Sequence, residues 1–339
     1  MRIVLLVLSV VALAGCITSS PLVQPPSPPD PSEASTHLRT FPDGAPLSQE
    51  RKELTSLASV VIDNMQEAHP PSGVSRAPLV IEAPVEGGIT RLLAFYPLDT
   101  TISKIGPVRS LRPYFLSLSE DFASLIAHVG GSPEALVQEK TTHLVALNEF
   151  FHTLSFWRDS NRPAPHNLYT STSRLSEALL SQKRANHQNK LTKNPWQYSE
   201  QLPSELTPRP QPAATLTISA SSPAYAIAWE YDNTTLRYSR MQGGRLHKYQ
   251  DGVVLSAHNV IVLQTKITIE DEVGRRAITL DGQGKAWVLR DGVVLKGLWQ
   301  RSAQQPLNFI SDEGAPLPLH PGVTWIEIIP SSTLPDIAS

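Results

Sequence analysis

From residue 60 onward, compact runs of apolar residues alternate with stretches in which apolar positions recur every three or four residues. Val60-Val61-Ile62, Leu79-Val80-Ile81 and Ile89 to Tyr96 are runs rich in β-formers and predict strands. The spacing of Phe115, Leu118, Phe122, Leu125 and Ile126 predicts a helix from Phe115 to Ala127 with one apolar face. Ser132-Pro133-Glu134 supplies an N-cap, a proline at the first helical position and an acidic first turn. A further helix is predicted from Leu168 to about Leu180, opened by Thr170 or Thr172. Strands and helices intermingle, so residues 50–195 are expected to form an α+β or α/β domain.

The pattern changes after a polar, proline-rich connection, expected at 196–212. Residues 213–330 read as nearly all strand: Ala226 to Trp229, Leu236 to Arg240 before the turn Gly243-Gly244, Asn259 to Ile269, and Ala277 to Leu280 before Asp281-Gly282. Ala286 to Arg290, Asp291-Gly292 and Val293 to Trp299 form a hairpin pattern with an Asp-Gly turn. A small, mostly antiparallel β domain is expected here, followed by a tail at 331–339.

Before the folded part the pattern is of another kind. Arg2 precedes an apolar run from Ile3 to Leu13, too short for a permanent span, which needs about 20 residues. Residues 1–15 therefore read as an export signal. Leu13-Ala14-Gly15-Cys16 resembles the lipobox of bacterial lipoproteins, which implies that Cys16 becomes the lipidated N-terminus. Residues 16–49 include PLVQPPSPPDPSEAS and read as a lipidated cysteine followed by an extended tether. The expected location is extracytoplasmic, held to the bilayer through acylated Cys16.

Composition narrows the chemistry. With 29 Lys and Arg against 31 Asp and Glu, the net charge of −2 removes the main argument for nucleic acid as a partner. Cys16 is the single cysteine, which excludes a disulfide framework, a Cys zinc site and a cysteine nucleophile in the folded part. No cofactor motif and no HExxH-type metal pair is present.

Polar residues concentrate beside the predicted strand ends of the first half. In order they are Asp63-Asn64, VEGGITR at 85–91, IGPVRS at 105–110, His128-Val129-Gly130-Gly131-Ser132, FWRD at 156–159 and APHNLYTS at 164–171. Together with NVIV at 259–262, Gly297-x-Trp299 and Pro321 to Ile326, this series resembles the YerB-type bacterial lipoproteins, a two-domain family of unknown function. Pro113 departs from that pattern and fixes a helix start after Arg112. The resemblance implies two domains and an envelope location, and supplies no reaction.

Arg91, Arg109, Arg112 and Arg158 could converge on an anion, because guanidinium forks match phosphate and carboxylate oxygens. The competing arrangement pairs them with Glu82, Glu86 and Asp159. Gly130, Gly131 and Ser132 could present N–H groups and a hydroxyl to the same anion, or form a tight turn with a serine cap. His166 and Asn167 stand beside them in the candidate set. His128, His166, Ser132, Glu82 and Glu86 are the candidates for acid–base or nucleophilic work. Trp229, Trp287, Trp299 and Trp325 could form a binding face or pack the core. The leading expectation is binding of a phosphorylated envelope ligand by the N-terminal domain. The alternatives are a non-catalytic scaffold for another envelope protein and a hydrolase or phosphotransferase acting on envelope polymers.

Overall fold

The structure, a computed structural model, describes residues 42–45, 56–182, 195–204, 206, 209–219, 222–250 and 252–339. The expected signal peptide, Cys16 and, apart from 42–45, the tether lie outside the described residues.

In the first half the apolar runs form β1 (Leu57–Asp63), β2 (Leu79–Pro84), β3 (Thr90–Pro97), β4 (Leu125–His128) and β5 (Val145–Asn148). Its helices are α1 (Pro113–Phe122), α2 (Pro133–Gln138) and α3 (Thr172–Ser181). The second half contributes β6 (Thr215–Ile218), β7 (Ile227–Asp232), β8 (Arg237–Gln242), β9 (Asn259–Thr265) and β10 (Gly282–Arg290). It continues with β11 (Val293–Ser302), β12 (Gln305–Ile310), β13 (Thr324–Pro330) and β14 (Asp336–Ala338).

One sheet runs through both halves in the order β12-β11-β10-β9-β13-β2-β3-β1-β4-β5, with Gln211–Pro212 pairing β11 as an eleventh strand. The joint is β13, which lies parallel to β2 on one side and to β9 on the other, with Ile326 opposite both Ile81 and Ile261. The first half contributes a mixed sheet, with β1 antiparallel to β3 and parallel to β4. The second half is mostly antiparallel and adds a six-stranded sheet containing β8, β7, β6 and β14. The tail beyond residue 330 thus ends in a strand, with Asp336 opposite Thr217.

Because side chains alternate along a strand, every central strand serves two cores. Val60, Ile62, Val80, Leu92, Ala94, Val260 and Trp325 face one side, where Leu216, Trp229 and Tyr238 of the second sheet cover them. Val61, Leu79, Ile81, Leu93, Ile261 and Ile326 face the other, against Phe115, Leu118 and Phe122 of α1. This double burial explains why β1 is buried along its whole length.

Two helix expectations change at their ends. The apolar spacing that begins in α1 continues through Leu125 and Ile126, but Ala123 turns extended at φ −105° and ψ 160°. The Ser124 N–H then bonds Leu57 O, and Leu125 and Ile126 join β4 opposite Ala58 and Ser59. Likewise Leu168–Tyr169 pairs with Trp157–Arg158 as a two-residue ladder, and Ser171, rather than either threonine, caps α3. Pro113 does occupy the first turn of α1, with Arg112 as its cap residue.

The expected connection at 196–212 is anchored at both ends. Trp196 is buried, lies 5.7 Å from the ring of Phe122 and donates its indole N–H to Leu307 O. Tyr198 bridges to Leu319, and Gln211–Pro212 joins the sheet edge. The Asp-Gly hairpin forms between β10 and β11, where Asp291 and Gly292 take φ 51° and 71°, as a two-residue turn of that hand requires.

Candidate functional site

The polar residues of the first half meet where β1 ends and β3 begins. Asp63 lies directly opposite Arg91 in the β1–β3 register, so the two side chains share a face. That face also carries Val61, Leu93 and the core against α1. The segment from Arg109 to Arg112 is held alongside: Arg109 N–H bonds Val61 O, and Asp63 N–H bonds Pro107 O. Gly106 lets the stretch before Arg109 pack closely on Leu168–Tyr169, since a Cβ there would stand 2.7 Å from Leu168 O.

Three arginines and two carboxylates result. Asp63 Oδ2 lies 2.6 Å from Arg109 Nε and 2.7 Å from His166 Nδ1, while Oδ1 accepts the Met65 N–H. A carboxylate only accepts, so in this contact the His166 hydrogen sits on Nδ1. Arg112 forks onto both oxygens of Glu86 and donates to Leu111 O. Burial pushes the Glu86 carboxyl up, but its own backbone N–H and the Arg112 fork outweigh that and hold it below the usual range. Arg91 is buried and donates from Nη1 to Ser110 O, and among the described residues no carboxylate lies within 4 Å of it. Burial, with the Arg112 charge beside it, pushes Arg91 down to about 10, still a cation at neutral pH. The cluster therefore carries a positive excess in a largely dehydrated place.

The glycine turn serves this cluster by holding it. Leu111 N–H bonds Gly130 O, Ser132 N–H bonds Leu111 O, and Gly130 N–H bonds Asn148 Oδ1. Ser132 Oγ accepts the Ala135 N–H as the cap of α2. These groups fix the Arg109–Arg112 segment; Gly130 N–H and Ser132 are thereby taken up. Arg158 does not join the other arginines: it is exposed and pairs with Glu149 and Asn167. His128 is fully buried, with Nδ1 on Gly130 O and Nε2 3.4 Å from Glu139. Asp159 pairs with Lys104. The Ser132, His166, Glu82 or Glu86 triad is not assembled, because His166 takes Asp63, Glu86 takes Arg112 and Ser132 caps a helix.

Glu82 belongs to the opposite face of the sheet. Arg240, from β8, forks onto it at 2.7 and 2.9 Å, and Asn64 and Thr90 also donate to it. Glu327 of β13 lies 3.7 Å from Arg240 Nε and accepts from Trp229 Nε1. All three charged side chains are buried. Burial, with the Glu82 charge next to it, pushes the Glu327 carboxyl well above the ordinary range, against the pull of Arg240 and the Trp229 N–H. The Arg240 guanidinium lies 5.5 Å from the Trp325 ring. Trp229, Trp299 and Trp325 are thus core residues, and Trp287 is partly buried against the same core.

Family models match both halves: the N-terminal domain of a protein of unknown function, DUF3048, over residues 44–186, and its C-terminal domain over 216–326. The chain belongs to the DUF3048 family. It is 31% identical over 276 residues to "Putative lipoprotein YerB" of Bacillus subtilis (strain 168), covering 80% of each chain. The crystal structure of YerB protein from Bacillus subtilis superposes with a TM-score of 0.74 at 28% identity, over 87% of this chain and 98% of that one. The resemblance carried by the sequence motifs is thereby upheld, along with a mixed N-terminal sheet and a strand-rich C-terminal part. In this DUF3048 chain the two domains meet across β2 and β13, and Glu82–Arg240 crosses between them.

Sequence reading placed Arg91, Arg109 and Arg112 together but missed Asp63 as their organiser and Arg240 as the partner of Glu82. A signal for both was present. Asp63 closes an otherwise apolar strand, and Glu327 interrupts Thr324 to Pro330, a run that is otherwise buried and apolar. A charged residue at a core position asks for a partner, although periodicity does not say from which half it comes.

Proposed function

We propose that this protein is a lipid-anchored extracytoplasmic protein whose N-terminal domain binds a phosphorylated ligand of the cell envelope through Arg91, Arg109 and Arg112. The observation behind this reading is the charge imbalance: three guanidinium groups share two carboxylates, and Arg91 has a carbonyl but no carboxylate as partner. A buried network made only for stability would be expected to neutralise itself, as Arg240 and Glu82 do. An oxyanion supplies the missing charge, and guanidinium forks suit its geometry. Anchoring at Cys16 is supported by the sequence at 13–16 and by the name of the Bacillus relative.

The test uses inorganic pyrophosphate as the probe. Binding to the native state alone raises stability by about 2.7 kcal/mol at a hundredfold excess over Kd. A rise in Tm with pyrophosphate is expected for the natural sequence and is lost in Arg109→Ala, which leaves Asp63 paired with His166. Equal affinity in the two proteins would remove the basis of this assignment.

A further inference from the structure

A cluster of large apolar side chains stands exposed beside β5, the edge strand of the large sheet. Leu154 is 90% exposed, Phe151 80%, and Phe150 and Val137 64% each. Phe150, Phe151 and Leu154 come from the segment that follows β5, and Val137 of α2 lines one groove with both phenylalanines. The segment is fixed at its base: the Phe150 ring lies over Gly130, where a Cβ would stand 3.1 Å from it. Exposed apolar groups gathered in this way mark a contact with an apolar partner.

The form of the cluster suits a lipid surface. Leu154 and Phe151 project from the protein instead of lining a hollow, and a fluid hydrocarbon phase receives such projections without a matching shape. Backbone groups that enter that phase need partners of their own. Here Phe150 N–H bonds Asn148 Oδ1, the Phe151 and His152 N–H groups bond Asn148 O, Ser155 N–H bonds His152 O, and Leu154 O accepts from Arg174. The Arg174 guanidinium also lies 5.1 Å from the Trp157 ring, so a cation and an indole flank the apolar tip, the pairing favoured at a membrane interface. Lys140 and Arg158 stand exposed beside it, while Glu149, the partner of Arg158, is half-buried. The chain also allows the contact. Cys16 stands 26 residues before Pro42, a stretch that spans at most about 90 Å. Asp43, next in the chain, binds Gly322 N–H just before β13, five strands from β5 and so about 24 Å away.

We infer that Phe150, Phe151, Leu154 and Val137 form a docking tip that inserts into the headgroup region of the bilayer, so that the folded part lies on the membrane with this edge of the sheet toward it. The inference rests on the lipid-anchored reading above for nearness to a bilayer, and on the cluster itself for the face that turns to it. Docking sets the Gly130 turn next to lipid headgroups, and with it the Arg109 to Arg112 segment whose Leu111 N–H that turn holds.

The experiment reconstitutes the full chain into vesicles of equimolar phosphatidylglycerol and phosphatidylethanolamine. An environment-sensitive dye is attached through Thr153→Cys, exposed within the tip, or through Gln304→Cys, exposed between β11 and β12 at the opposite edge of the sheet. Nitroxide-labelled lipids are expected to quench the dye at position 153 severalfold more than the dye at position 304, with a blue-shifted emission at 153 alone. Phe151→Ser combined with Leu154→Ser, both at exposed positions, removes most of that quenching and leaves Tm unchanged. The mass of the mature N-terminus reads the anchor separately: an unlipidated chain overturns the anchored reading, and the dye at 153 in a Cys16→Ser background, with vesicles in excess, then decides the docking tip alone. Equal quenching at the two positions, no quenching at 153 on a chain that floats with the vesicles, or quenching unchanged in the double serine variant would each overturn the assignment.

Discussion

Asp63 and Asn64 are adjacent in the chain and belong to different chemistry, because consecutive side chains at a strand end point to opposite faces. Asp63 gathers Arg109 and His166 on the α1 side, whereas Asn64 donates to Glu82, Thr90 and Gln242 on the other. His69 completes the second group by donating to Asn64 Oδ1 at 3.0 Å. Its folded pKa of about 4 lies below the ordinary 6.5, so between those values the unfolded chain binds a proton that the folded chain refuses. Stability from His69 is therefore present above pH 6.5 and is lost as the pH falls toward 4. His258, also pushed down to about 4, acts in the same direction, while Glu327, pushed up, opposes them. Urea denaturation at pH 7, 6, 5 and 4.5 is expected to give a shallower decline in His69→Phe than in the natural sequence. The arginines themselves were legible in the motifs, and so was the competing use, pairing with carboxylates, which Arg112 makes with Glu86. Their partners were not, because pairing depends on register, and register is a property of two strands.

At the scale of elements, caps and turns were the most readable features because their chemistry is local. Ser132-Pro133-Glu134 opens α2 as its residue types require, and Asp291-Gly292 closes the β10–β11 hairpin. Ser132→Ala is expected to cost about 1 kcal/mol, measured as a fall in the urea midpoint. Because the α2 entry also holds Leu111 through Ser132 N–H, a backbone group that the substitution keeps, the arginine segment stays in place and pyrophosphate binding is unchanged. A serine acting as a nucleophile or ligand would instead lose binding or activity with little change in stability. Helix ends were less readable. The run Leu125-Ile126 continues the spacing of α1, yet its neighbours Ala58 and Ser59 in β1 claim it as strand, and only the tertiary contact decides between the two.

The whole molecule contains two family domains but one continuous sheet. The β2–β13 pairing and the Glu82–Arg240 fork both cross the boundary, with apolar cores on each face of the joint. A single heat-absorption peak is expected in calorimetry, and a fragment ending at residue 204 is expected to show no cooperative transition of its own; two separate peaks would mean that the domains unfold independently. Nothing in the sequence announced this joint, since Leu79-Val80-Ile81 and Thr324 to Pro330 lie far apart in the chain and each reads simply as a buried strand. The position of β13 also governs the order in which the protein can be completed. On a chain that emerges amino end first, from a ribosome or from a translocation channel, β2 and β9 appear long before the strand that must lie between them. Until residue 330 is free, both present open edges and unsatisfied backbone groups. β13 is the keystone and the last-made strand of the large sheet, with only β14 of the second sheet after it, so the joint between the domains stays open until the chain is nearly complete and then closes at once.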